Sequence, residues 1–180
     1  MSETLKSDQA RIRHSMLGAA ILIVVWMIAG LWLWPFDTSY YGAPGARLGY
    51  ALSWDFWAAI MLLLGVLKLA RDRFFAEGAI AGGVASDPAT NARLEIDRRY
   101  LRNTVEQTVL LFIGHLTFAF ACRTEELIAI PLLVGIFIIG RIAFWVGYHR
   151  SPPARAFGFA TTFWPIIGLY LFTAYRLIVA

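Results

Sequence analysis

Residues 98–121, RRYLRNTVEQTVLLFIGHLTFAFA, begin with arginines and run into an apolar stretch from Thr104 to Ala121. That stretch is long enough to cross about 30 Å of hydrocarbon as an α-helix. Four further runs of the same kind extend from Ser15 to Trp34, Trp54 to Ala70, Leu127 to Tyr148 and Phe157 to Val179. The sequence therefore reads as an all-α membrane protein with five spans. Composition agrees: 59% of the 180 residues are hydrophobic and 16% charged, against roughly 25% charged in soluble domains. The net charge of +4 does not indicate a nucleic-acid partner, because the basic residues flank apolar runs instead of covering a solvated face. The single cysteine, Cys122, excludes an internal disulfide framework and offers no metal cluster.

The first span ends in the aromatic group Trp32, Trp34, Pro35 and Phe36 without a convincing small-residue cleavage site, so it reads as a retained anchor. Tryptophans 26, 32, 34, 54 and 57 suit an aromatic belt around the first hairpin. Lys6, Arg11 and Arg13 precede the first span, Arg71, Arg73, Arg93, Arg98 and Arg99 lie between the second and third, and His149, Arg150 and Arg155 lie between the fourth and fifth. The alternate connections carry little more than Arg47 and Arg123. The positive-inside rule then predicts a cytoplasmic N-terminus and a C-terminus on the opposite side. The connection from Arg71 to Arg98 contains Gly82, Gly83, Asp87 and Pro88 and is expected to be a mobile loop.

Polar residues inside these spans carry the functional reading. Arg99, Asn103 and Glu106 fall at i, i+4 and i+7 on one helical face, with Glu106 about 10 Å deeper than Arg99. Arg141 lies seven residues before Tyr148, about 10 Å from the same boundary, and is the expected partner of Glu106. The pairing reads either as a bridge joining two helices or as the floor of a cavity, and both can hold. Arg141, Phe144 and Tyr148 share a face at i, i+3 and i+7, and Arg155 follows just beyond Pro152 and Pro153. Together they describe a basic pocket for a small anionic ligand, with apolar walls open to lipid. His115, alone in LLFIGHLTFAF, is expected to be a hydrogen-bonded interhelical histidine.

These motifs resemble the MAPEG family, the membrane-associated proteins of eicosanoid and glutathione metabolism, over roughly Trp54 to Ile178. The family's Arg-x-x-x-Asn-x-x-Glu is matched by Arg99, Asn103 and Glu106. Its arginine followed by tyrosine seven residues later is matched by Arg141 and Tyr148. Arg155 matches an arginine seven residues beyond that tyrosine, and Arg71 matches the basic end of the first family helix. The resemblance implies a MAPEG-like four-helix transmembrane bundle at 54–180, preceded at 1–53 by a tail, one additional N-terminal transmembrane helix and an outer loop.

The resemblance also implies a homotrimer that binds glutathione as cosubstrate between subunits near the cytoplasmic leaflet. Arg71, Arg99, Asn103, Glu106 and Tyr148 would hold the tripeptide, Arg155 would be catalytic and face its sulfur, and Arg141 would pair with Glu106. The implied activity is a glutathione-dependent membrane transferase or peroxidase acting on hydrophobic electrophiles or lipid hydroperoxides from the bilayer. The alternative is a non-catalytic lipid-binding or scaffold protein of the same fold. The chain departs from the leukotriene-forming members at Phe144 and Gln107, which stand where tyrosines would, and at Asp72, which stands where an arginine would.

Overall fold

A computed structural model of the chain describes residues 3–34, 36–37, 39–80, 84–151 and 153–179. Five helices account for most of them: α1 (Glu3–Leu33), α2 (Pro44–Phe75), α3 (Pro88–Ala121), α4 (Ala129–Arg150) and α5 (Arg155–Val179). Each is long and apolar enough to cross a membrane. No strand occurs among the described residues, so the all-α reading holds. Of the sequence features singled out above, Pro35, Gly82, Gly83 and Pro152 lie outside the described residues.

The helices outrun the apolar stretches. α2 begins at Pro44, ten residues before Trp54, so a domain boundary between 53 and 54 falls inside a helix. α2 also continues through Arg71 and Arg73 to Phe75, and α3 already starts at Pro88, which leaves a much shorter connection than Arg71 to Arg98. Pro88 starts a helix here instead of breaking one, because a missing N–H costs nothing in the first turn. Asp87 caps α3: its carboxylate accepts from the Ala89 and Thr90 amides at 3.3 and 2.8 Å and from the Thr90 hydroxyl at 2.6 Å. These bonds, led by that of the Thr90 side chain, hold the Asp87 carboxyl below the usual range. The described ends of the connection are tied together, with the Ser86 amide donating to the Glu77 carbonyl at 2.9 Å over a small buried cluster of Ala76, Ala79, Ala85 and Leu94.

α4 is the most buried span, packed between α5 and the α2–α3 hairpin. Small residues allow the close approach of α5. A side chain at Gly158 would collide with the backbone of Phe144, so only glycine fits where α5 meets α4. Leu111, Phe118, Ile130, Val134, Phe137 and Ile166 form the apolar core towards the arginine-poor end. α1 lies outside this bundle, against α5 and α4. Trp26 fastens it: the indole N–H donates to the Leu132 carbonyl at 2.8 Å, and a Cβ built on Gly135 would stand 2.6 Å from the same ring. Trp26 is therefore an interhelical clasp and not the belt residue its position suggests. Trp34 and Trp54 do meet edge to face near the α1–α2 turn, at 5.8 Å between centroids.

Candidate functional site

Arg141 is fully buried and joins three helices. Its guanidinium donates to Asn103 Oδ1 on α3 at 2.9 Å and to the Thr162 hydroxyl on α5, with the ring of Phe144 4.7 Å from its Cζ. The expected ion pair with Glu106 does not form within the chain. Glu106 is exposed on the outer face of α3 and has no partner among the described residues. Arg141 reaches the polar residue one turn nearer the arginine-rich end. Neutral amide and hydroxyl acceptors satisfy part of its fork, leaving Nε without a partner.

Of the expected ligand residues, two come together closely. The Arg155 guanidinium lies over the Tyr148 ring, 4.7 Å from its centroid, where α4 ends and α5 begins. Arg155 is half-buried in the first turn of α5 and faces no carboxylate among the described residues, so a cation and a helix N-terminus coincide there. The remaining residues stand apart from it. Arg99 pairs with Glu95 at 2.9 Å on the outer surface of α3. Arg71 is exposed beside a polar cavity of about 340 Å³ that it shares with Asp72, Thr90 and Arg93. A single chain thus presents the residues in three places: Tyr148 and Arg155 at the α4–α5 junction, Arg99 and Glu106 along the exposed face of α3, and Arg71 at the end of α2.

The three residues that depart from the leukotriene-forming members sit in different surroundings. Phe144 points into the bundle, stacked on Arg141 and edge-on to Tyr148 at 5.1 Å. Gln107 is buried, with Oε1 lacking a partner. Asp72 is engaged by Lys68 Nζ at 2.8 Å.

Two polar arrangements escaped the sequence reading. Asp97, buried on α3, accepts from Lys68 on α2 at 2.5 Å and from Trp145 on α4 at 3.4 Å, and its Oδ1 lies 3.1 Å from His149 Nε2. It clamps the arginine-rich ends of three helices together. The lone cation Lys68 in an otherwise apolar run was the available signal. His115 is the expected interhelical histidine, and its partner is Asp55 on α2, with Nδ1 and Oδ1 2.6 Å apart. Asp55 was equally visible as an isolated carboxylate in the second span. No cluster of three or more metal-ligating side chains occurs among the described residues.

Comparison with known proteins places this geometry. The chain is 26% identical over 166 residues to bovine (Bos taurus) transmembrane protein 79, covering 91% of this chain and 40% of that relative. It is 25% identical over 162 residues to the mouse (Mus musculus) protein of the same name, covering 89% of this chain and again 40% of the relative. It therefore spans well under half the length of the curated relatives it matches. No solved structure matches it. The MAPEG family model matches residues 50–175, which take in α2 except its first turns, all of α3 and α4 and nearly all of α5, so the four-helix bundle carrying Arg141 and Arg155 is the family's and α1 is outside it. The chain is a member of the MAPEG family.

Proposed function

We propose that the chain is a glutathione-dependent membrane transferase or peroxidase acting on hydrophobic electrophiles or lipid hydroperoxides, with its site completed by a second copy of the chain in a homotrimer. The observation that carries this reading is Glu106, a carboxylate at hydrocarbon depth on the exposed face of α3 with no partner among the described residues. A carboxylate there is too costly to leave facing lipid. A neighbouring copy that laid its Arg155 and Tyr148 against this face would enclose Arg99 and Glu106 opposite that arginine, with Asn103 behind them held by Arg141. Such a cleft suits a tripeptide bearing an ammonium, two carboxylates and a thiol.

The chemistry assigned to Arg155 follows from its surroundings. Glutathione supplies the nucleophile as its thiolate, and a thiol with an ordinary pKa near 8.5 is lowered beside a guanidinium or a helix N-terminus. Arg155 offers both. The thiolate would form a carbon–sulfur bond with an electrophile arriving laterally from the bilayer, either adding to an activated double bond whose carbanion is then protonated or displacing a leaving group. With a hydroperoxide it would attack the terminal oxygen, break the O–O bond to release the alcohol, and leave a sulfenate that a second glutathione converts to the disulfide and water. The cytoplasm is the natural source of glutathione, and the arginine-rich end faces it by the positive-inside rule.

A second reading, a lipid-binding or scaffold protein without turnover, is favoured by the burial of Phe144 and the engagement of Asp72 with Lys68. Both remove groups that the leukotriene-forming members present to their ligands. Calorimetric titration of the detergent-purified protein with glutathione, with thiolate absorbance followed in parallel, separates the two readings. The enzyme reading expects saturable binding that Glu106→Gln weakens about tenfold or more, as for a lost hydrogen bond to a charged group. It expects Arg155→Ala to fold and bind but to lose the thiolate signal and about 100-fold in turnover. Absence of binding by well-folded protein would overturn the glutathione assignment and leave the scaffold reading.

A further inference from the structure

Between α1 and the outer side of the four-helix bundle runs a groove of about 610 Å³, at the opposite end of the molecule from Arg155. Its walls are apolar: Val24 and Met27 of α1 face Leu133 of α4 and Trp164, Gly168 and Phe172 of α5. The volume falls within the usual range for small-molecule sites, about 300–1,000 Å³. Its length fits a particular occupant. On α1 it extends from Ala20 to Leu31, about 16 Å along the helix, which is close to half of a 30 Å hydrocarbon core. Measured from the arginine-poor end of the first span at Trp34, it runs from just inside that boundary to beyond the bilayer centre, a depth that an acyl chain entering from that side reaches.

The mouth of the groove carries charge. Glu125 and Glu126 line it from the turn Thr124–Ile128. Glu126 is neutralised, since it pairs with Arg176 and accepts from the Arg123 amide at 2.8 Å. Glu125 is exposed and has no partner among the described residues; Arg123, two positions earlier, forms no ion pair with it. Of the two phenylalanine rings near this end, Phe118 is buried in the core and Phe172 is covered by the Arg176 guanidinium at 5.5 Å, so neither is open to form a cage for a quaternary ammonium. A free carboxylate instead suits a headgroup with N–H donors.

We propose that this groove is a phospholipid site, holding one acyl chain of a lipid whose headgroup ends in a primary ammonium bound by Glu125. The site belongs to the joint between α1 and the family bundle and is independent of the glutathione site. α1 forms one wall, so the added helix supplies something the four-helix bundle alone lacks. Gly168 keeps the channel open: a Cβ built there meets nothing within 4 Å. A larger side chain at this position fills the groove and, by replacing a helical glycine, does not weaken α5.

The test uses the full chain in phosphatidylcholine vesicles doped with a phosphatidylethanolamine or a phosphatidylcholine that carries a mid-chain diazirine. After photolysis, labelled peptides are mapped by mass spectrometry. The expected result is labelling of Ile23–Met27 and Trp164–Gly168 by the ethanolamine probe, in excess over the lipid-exposed Phe56 and Leu63. Gly168→Leu should abolish the excess, by about tenfold or more. Glu125→Gln should remove the preference for ethanolamine over choline, about threefold for a rim charge. Even labelling of all exposed helices, an excess that survives Gly168→Leu, equal labelling by the two probes in the unsubstituted protein, or protein-to-protein cross-links in place of lipid ones would each overturn the proposal.

Discussion

Arg141 has no solvent-accessible surface, yet its guanidinium finds only an amide oxygen, a hydroxyl and aromatic faces around it. The planar fork matters more than the charge, because two donors must reach Asn103 and Thr162 on different helices at once. Arg141→Lys keeps the charge and loses one of those bonds, and should destabilise the bundle by about 1–3 kcal/mol in detergent-unfolding curves. An unchanged unfolding midpoint would mean that the fork is not holding the helices. The sequence exposed Arg141 as an intramembrane ion but not its partner. Matching residues by depth resolves only about one helical turn, and Asn103 and Glu106 are less than one turn apart, about 4.5 Å along the axis. Depth carries no information about rotation, and rotation turns Asn103 inward and Glu106 out. Asp55 and Asp97 were overlooked for the opposite reason: each has its partner on another helix, with no nearby spacing to link them.

At the level of helices, hydropathy located every span because burial in lipid requires an apolar surface over the full crossing. It missed the helix ends, since charged turns outside the hydrocarbon are still helical. The first turns of α3 depend on Asp87 instead. Its lowered pKa means that the ionised cap stabilises the helix above the ordinary carboxylate pKa of about 3.9, and that this contribution disappears as pH falls through the lower folded value. The Thr90 amide resonance should therefore titrate with a midpoint below about 3.9 and stop titrating in Asp87→Ala. A midpoint at or above the ordinary value would contradict the cap. For α1, Gly135→Leu should push Trp26 out of its seat while the other four helices stay assembled. Protease cleavage in the α1–α2 connection should rise sharply, with the fragment from α2 onward remaining intact. Loss of the whole fold would show that α1 is integral to the bundle.

For the whole molecule, the legible part was the architecture of five apolar crossings with one end rich in arginine. The assembled site was less so, because its residues are divided among three places on one chain. A single chain leaves Arg99 and Glu106 on an outer face, so the proposed function calls for another copy against it, and the resemblance to the MAPEG family implies three copies. Native mass spectrometry from mild detergent should show three chains of 20.2 kDa each. A strictly monomeric protein would leave Glu106 facing lipid and would remove the shared-site reading.

The clasp between Trp26 and Leu132 also bears on biosynthesis. The two residues are 106 positions apart, and the chain is made from the N-terminus, so α1 leaves the ribosome long before its receptor helix exists. During that interval α1 must reside in the bilayer alone, its indole N–H served by water or headgroups. Its nearly unbroken apolar surface permits this, since little of it is ever covered by protein. The helix therefore acts first as an independent anchor and only later as a wall of the finished bundle, docking once α4 has been inserted. Translation products arrested before residue 132 should be membrane-embedded with α1 still free to move.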